Sequence, residues 1–89
     1  MKAIVTVVGK DRVGIIAETC VALAAYNVNI LDISQTVMQG YFTMMMAVDT
    51  SMSEIPFAEL AKKLDAKGEE MGMSIRLQRE DIFEAMHRV

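Results

Sequence analysis

Cysteine, histidine and proline each occur once in these 89 residues, and tryptophan is absent. With Cys20 alone, no disulfide can close within the chain. A small secreted domain usually carries several, so a reducing cytoplasm is the expected setting. One cysteine and one histidine, His87, cannot build a Cys/His zinc site in one chain. Cys20 lies on an apolar helix stripe without an evident base, which reads as a core thiol rather than a nucleophile. The sequence therefore offers no catalytic constellation, and an enzyme is not expected; no cofactor motif is found. An excess of positive charge is also lacking: nine Lys and Arg face twelve Asp and Glu, and the net charge of −3 is not the basic field of a nucleic-acid binder. No stretch reaches the roughly 20 apolar residues of a membrane span. The apolar run Ala3–Val8 is short for a signal peptide, and charges follow it without a small-residue cleavage site.

What is abundant is apolar material. It makes up 53% of the residues, nine of them Met. One domain of this length buries only about 60–65% of the surface its unfolded chain exposes. The surplus points to association with a second copy.

Ala3–Val8, rich in β-branched residues and apolar on both alternations, predicts a central strand. A loop over Gly9–Val13 follows. Gly14–Ala25 then predicts a helix, with Asp11 as its cap, Asn27 as its stop, and Ile16, Cys20, Leu23 and Ala24 as its buried stripe. Val28–Gln39 predicts a strand with Leu31, Ile33 and Val37 on a dry face and Asp32, Ser34 and Thr36 on a wetter one. Gln39-Gly40 is a tight-turn signal, and Tyr41–Val48 is a strand apolar on both faces. Pro56 suits the first turn of a second helix, whose stripe is Phe57, Leu60, Ala61, Leu64 and Met71. Gly68 weakens its last turn and Gly72 stops it. Ser74–Glu80 reads as a fourth strand and Asp81–His87 as a short terminal helix.

The order βαββαβ with right-handed crossovers predicts an α+β fold, a ferredoxin-like sandwich with antiparallel sheet order 4-1-3-2 and a short C-terminal helix. This order puts the two dry strands in the centre. Both helices then cover one face of the sheet. The other face carries alternate residues of strands one and three, an apolar patch of the kind that marks an interface, to be covered by a second copy or in part by the terminal helix. RNA-recognition domains share the element order. Their third strand needs a basic residue and later aromatics that Gln39-Gly40-Tyr41-Phe42-Thr43-Met44 lacks.

Gly9 and Gly14 have the spacing of a phosphate loop, but Ile15 and Ile16 stand where Lys and Ser or Thr would hold phosphate and magnesium. Two readings stay open for Gly14. It lets helix and strand pack closely, or it lets a guest approach the backbone. The free N–H groups of a helix start favour a carboxylate, and Asp11 could accept from an ammonium group. An amino acid has both. The run Met44-Met45-Met46 is split between strand faces, which favours packing over copper binding. The acids Glu80, Asp81 and Glu84 are ordinary complements of a helix start.

The stretch GKDRVGIIAETCVALAAYNVNILDIS resembles the opening of an ACT domain. Asp11-Arg12-Val13-Gly14-Ile15 fits that family's D/N-R-P-G-hydrophobic loop, with Val13 where Pro is usual. Val28-Asn29-Ile30 fits the start of its second strand. The resemblance spans nearly the whole chain, with residues 1–80 as the ACT-like domain and 81–89 as its helical tail. It implies a stand-alone regulatory module similar to those of glycine-cleavage regulators. Such a module senses an amino acid or related small metabolite at the interface of a homodimer and signals to an effector protein. Carried over residue by residue, the implied ligand-binding positions are Asp11, Arg12, Val13, Gly14, Ile15, Asn29 and Ile30. Asn29 is also a turn-former. In the serine-sensing type a His stands near the position of Gly9, and Asn in place of Asp11. The alternative is a ligand-free dimerisation subunit of a larger complex.

Overall fold

The β-branched start of the chain becomes β1 (Lys2–Lys10), at the centre of one four-stranded antiparallel sheet. The computed structural model describes residues 1–81. Along them follow α1 (Ile15–Ala25), β2 (Asn29–Met38), β3 (Tyr41–Asp49), α2 (Phe57–Met71) and β4 (Ser74–Arg79). The sheet order is β2-β3-β1-β4, the predicted order read from the other edge. The terminal helix expected over Asp81–His87 lies, beyond Asp81, outside the described residues.

The register explains the core. Val5 pairs with Met46 on one side and Leu77 on the other, and Val7 pairs with Met44 and Ile75. Partners in an antiparallel pair share a face, so Ala3, Val5, Val7, Met44, Met46, Val48, Ile75 and Leu77 form one buried layer. Ile15, Leu23, Leu60, Leu64 and Met71 come down on it from the helices. Each fully buried aliphatic side chain contributes about 1.5–3 kcal/mol. Gln39 and Gly40 have φ of 50° and 81°, the two positive values a two-residue type I′ hairpin needs.

Several local expectations change. Strand β1 does not stop at Gly9 but continues to Lys10, with Gly9 paired to Phe42. A Cβ on Gly9 would stand 2.9 Å from Met73 Cε, so the bare glycine leaves room for the buried Met73 side chain. Asp11 does not cap α1. The N-cap is Gly14, at φ 93°, with no side-chain hydrogen bond. Close packing is not the reason for this glycine, because a Cβ there would meet only Arg12 Nη1, at 3.9 Å. Positive φ is the reason. The buried stripe of α1 is Ile15, Thr19 and Leu23, one residue out of step with Ile16, Cys20, Leu23 and Ala24. The helix is apolar nearly all round, so spacing alone left its rotation open. Thr19 can enter the core because its hydroxyl donates to the Ile15 carbonyl at 2.8 Å.

Strand β2 has no dry face: Leu31, Ile33 and Val37 are 47%, 42% and 55% exposed. A register shift between Ile30 and Asp32 takes Leu31 out of the alternation, and Ile30, Ile33, Gln35 and Val37 share the helix side instead. Pro56 sits at the N-cap of α2, just before its first turn. Gly68 does not merely weaken the end of α2; it is buried against the start of β4. Strand β4 ends at Arg79, one residue short of the expected Glu80.

Candidate functional site

The loop between β1 and α1 is held at its start and its finish. At the start, the Asp11 N–H donates to the Gly40 carbonyl at 2.9 Å, tying the loop to the β2–β3 hairpin. At the finish, Gly14 turns the chain into α1, and the Glu18 N–H donates to its carbonyl at 2.9 Å. With no side chain capping the helix, the N–H groups of its first turn remain available to an external acceptor.

The same helix start lines a cleft of about 260 Å³ together with Asp11, Arg12 and Phe42, its own part being Gly14, Ile15, Ile16 and Ala17. That volume lies just under the about 300–1,000 Å³ of drug-sized pockets, so the cleft suits a small metabolite and not a nucleotide. The electrostatics are mixed. The positive end of the α1 dipole favours an anion, and Asp11 at the rim offers an acceptor. Ile15 is buried in the core. Val13, at 97% exposure, stands free of the cleft.

Arg12 is engaged within the protein. Its Nη1 donates to the Val13 carbonyl at 3.1 Å, and its Nη2 to Glu18 Oε2 at 3.0 Å and to the Met71 carbonyl at 3.4 Å. The hydrogen bond from Arg12, assisted by its charge and that of Lys67, holds the Glu18 carboxyl below the usual range. A folded-state value below the unfolded one stabilises the fold above the unfolded value, and this contribution is lost as pH falls through the folded one. In an NMR pH titration, Glu18 is therefore expected to titrate below an unperturbed glutamate, and Arg12→Ala to return it towards the ordinary value. An unchanged Glu18 titration in that variant would refute the pairing.

Asn29 and Ile30 lie elsewhere. Asn29 pairs with Asp49, which pairs with Lys2, whereas the loop leaves β1 beyond Lys10. The eight-residue step from Lys2 to Lys10 spans about 26 Å of strand. Within one chain, the two halves of the expected site stand at opposite ends of the sheet. Sequence reasoning also missed Ile16, Ala17 and Phe42 as lining residues. The pairing of Phe42 with Gly9 belongs to the contact between β1 and β3, strands distant in the chain, and no local signal announces it. Nothing in the local sequence marks the reach from Arg12 to Met71.

Among the described residues, no helix is long and apolar enough to cross a membrane, and no cluster of three His, Cys, Asp or Glu could hold a metal. A larger groove of about 490 Å³ runs along the outer side of α1 and α2. It is mainly apolar, and its Lys67 and Glu70 pair with each other at 3.7 Å.

Residues 2–78 match the family model of the ACT domain. A UPF0237 protein of Clostridium acetobutylicum is 55% identical over 89 residues, the full length of both chains. An ACT domain protein from Streptococcus pneumoniae superposes with a TM-score of 0.83 at 46% identity, covering 98% of each chain. The regulatory subunit of aspartate kinase from Thermus thermophilus gives a TM-score of 0.66 at 24% identity, over 86% of this chain and 50% of that one. This last likeness is one of fold.

Proposed function

The chain belongs to the ACT domain family, and from that premise we propose that it senses an amino acid or related small metabolite as a homodimer in the cytoplasm and passes the signal to an effector protein. ACT domains are regulatory small-molecule-binding modules, and the family is not an enzyme family. The observation that carries the finer reading is the uncapped start of α1, which lines a small cleft together with Asp11. Backbone N–H groups would receive the carboxylate, and Asp11 the ammonium group.

The separation of Asn29 and Ile30 from the loop supports a site completed by a second copy. Edge strand β2 offers the means. It is exposed on both faces and apolar at Leu31, Ile33, Val37 and Met38, an edge that natural proteins seldom leave bare. Two β2 strands paired antiparallel would reverse one sheet relative to the other. Asn29 of the partner subunit would then stand at the end that carries the Asp11–Gly14 loop.

Isothermal titration against the common amino acids tests the reading. One of them is expected to bind, and Asp11→Ala and Asn29→Ala each to weaken it by roughly tenfold, the effect of one hydrogen bond to a charged group. No heat and no thermal stabilisation from any amino acid would overturn it. A dimerisation subunit without a ligand would then be the better reading. Its mark would be an intact dimer whose effector binding is indifferent to both substitutions.

A further inference from the structure

The end of β1 and the loop that follows it touch the far end of α2 at two places that the ligand reading does not require. One is Arg12, whose guanidinium reaches the Met71 carbonyl across 59 residues of sequence. The other is Gly9, whose missing side chain leaves space for Met73. Both contacts fall on the junction between α2 and β4.

The hydrogen bonds at that junction make the first contact specific. Helix α2 ends at Gly72, whose φ of 72° turns the chain back. The Gly72 N–H donates to the Glu69 carbonyl at 3.2 Å and the Met73 N–H to the Gly68 carbonyl at 2.8 Å. These are the bonds of a left-handed glycine cap. The Met71 carbonyl receives Arg12 instead. The last turn of α2 has no basic residue of its own, so Arg12 supplies a cation at the negative end of the dipole. The same guanidinium also binds Val13 and Glu18. A planar fork of five donors can bridge three acceptors in this way, and a lysine ammonium on its flexible stem is less suited to it.

We propose that Arg12 is a positioning residue that ties the Asp11–Gly14 loop to the C-terminal end of α2, so that the loop and the α2–β4 junction loosen together. The proposal rests on reading that loop as the ligand site. It assigns Arg12 the holding of the loop, and leaves the carboxylate to the backbone of α1. It also identifies the junction as the place where occupancy of the loop is felt.

Amide hydrogen exchange on the free, full chain tests the coupling without any ligand. Gly72→Ala strains the end of α2. It is expected to speed exchange at the Asp11 and Glu18 amides, which donate to the Gly40 and Gly14 carbonyls, by about three- to tenfold, the loss of one long hydrogen bond. In an Arg12→Ala background the same change should leave those amides as they are. If Arg12→Ala does not fold, Arg12→Lys serves in its place, because it keeps the charge and loses the fork. Additive effects, or a loop indifferent to Gly72→Ala, would overturn the proposal.

A second arm uses the tightest-binding amino acid of the titration and its carboxamide. A positioning residue weakens both alike when it is removed, so the preference for the acid survives in Arg12→Ala. Loss of that preference would make Arg12 a contact of the ligand carboxylate and overturn the assignment. If no amino acid binds the unaltered chain, the sensor reading fails, while the exchange experiment still decides the coupling.

Discussion

Replacing Gly68 with alanine is expected to lower the melting temperature by about 10 °C, from a net loss of about 2 kcal/mol in a domain of this size. A Cβ at this position would stand 2.8 Å from the Met73 carbonyl oxygen, 2.9 Å from the Ile75 nitrogen and 3.1 Å from Ile75 Cγ1. The first two are backbone atoms and cannot turn aside. Helix α2 would have to lift from the start of β4, opening the contact between the buried Leu64, Met71 and Ile75. Helix propensity acts in the opposite direction, favouring alanine over glycine by about 1 kcal/mol. The two effects predict opposite signs, and overpacking is the larger. Thermal unfolding followed by circular dichroism reads the outcome. A melting point equal to or above that of the unaltered chain would mean that the helix end yields, and that the close approach at Gly68 is not a constraint.

The second large effect concerns association. In the proposed dimer, Ile33 and Val37 lie on the edge strand where the two copies meet. Both belong to the helix side of β2, and both remain about half exposed in the single chain. The double substitution Ile33→Lys with Val37→Lys should therefore leave the fold of one chain intact. Across a two-fold axis it sets four ammonium groups against apolar surface and against each other. Like charges placed opposite one another on paired strands are unfavourable, and buried without partners they cost several kcal/mol. Sedimentation should move from dimer to monomer at micromolar concentration, with the dissociation constant raised by two orders of magnitude or more, since roughly 1.4 kcal/mol makes each factor of ten. Amino-acid binding should fall with it, because Asn29 and the Asp11–Gly14 loop are then no longer brought together. A variant that stays dimeric would exclude β2 as the contact. One that becomes monomeric and still binds would show that the loop suffices alone.

The Asp11–Gly14 loop and the sheet differ in how far the sequence specified them. Gly14 was read for close packing or a guest's approach, and its positive φ came only with the structure, whereas Gly72 could be placed at the end of α2 because glycine at positive φ is a local requirement. The Gln39-Gly40 hairpin followed in the same way. Its turn set the pairing of β2 with β3, and the connections with their preferred handedness then left one sheet order. Strands β1 and β3 lay in the middle because they were apolar on both alternations.

Other features were not local, and the sequence did not carry them. Helix α1 is apolar nearly all round, so its rotation was settled by the sheet beneath it, with Thr19 inward and Ile16 outward. The exposure of β2 came from the placement of the helices, which leave that edge of the sheet uncovered. Gly68 was read as a weak point of a helix until β4 was seen to pass within contact distance. Arg12 belonged to a loop motif, and only the packing of α2 brought the Met71 carbonyl to it. Asn29, close to the loop in the motif, stands a strand's length away in space. Element order, turns and sheet order were thus determined by the sequence itself, because they arise from backbone preferences and periodicity over a few residues. Tertiary structure decided which faces are buried, which glycine is a contact and which residues meet, because these depend on register between segments distant in the chain.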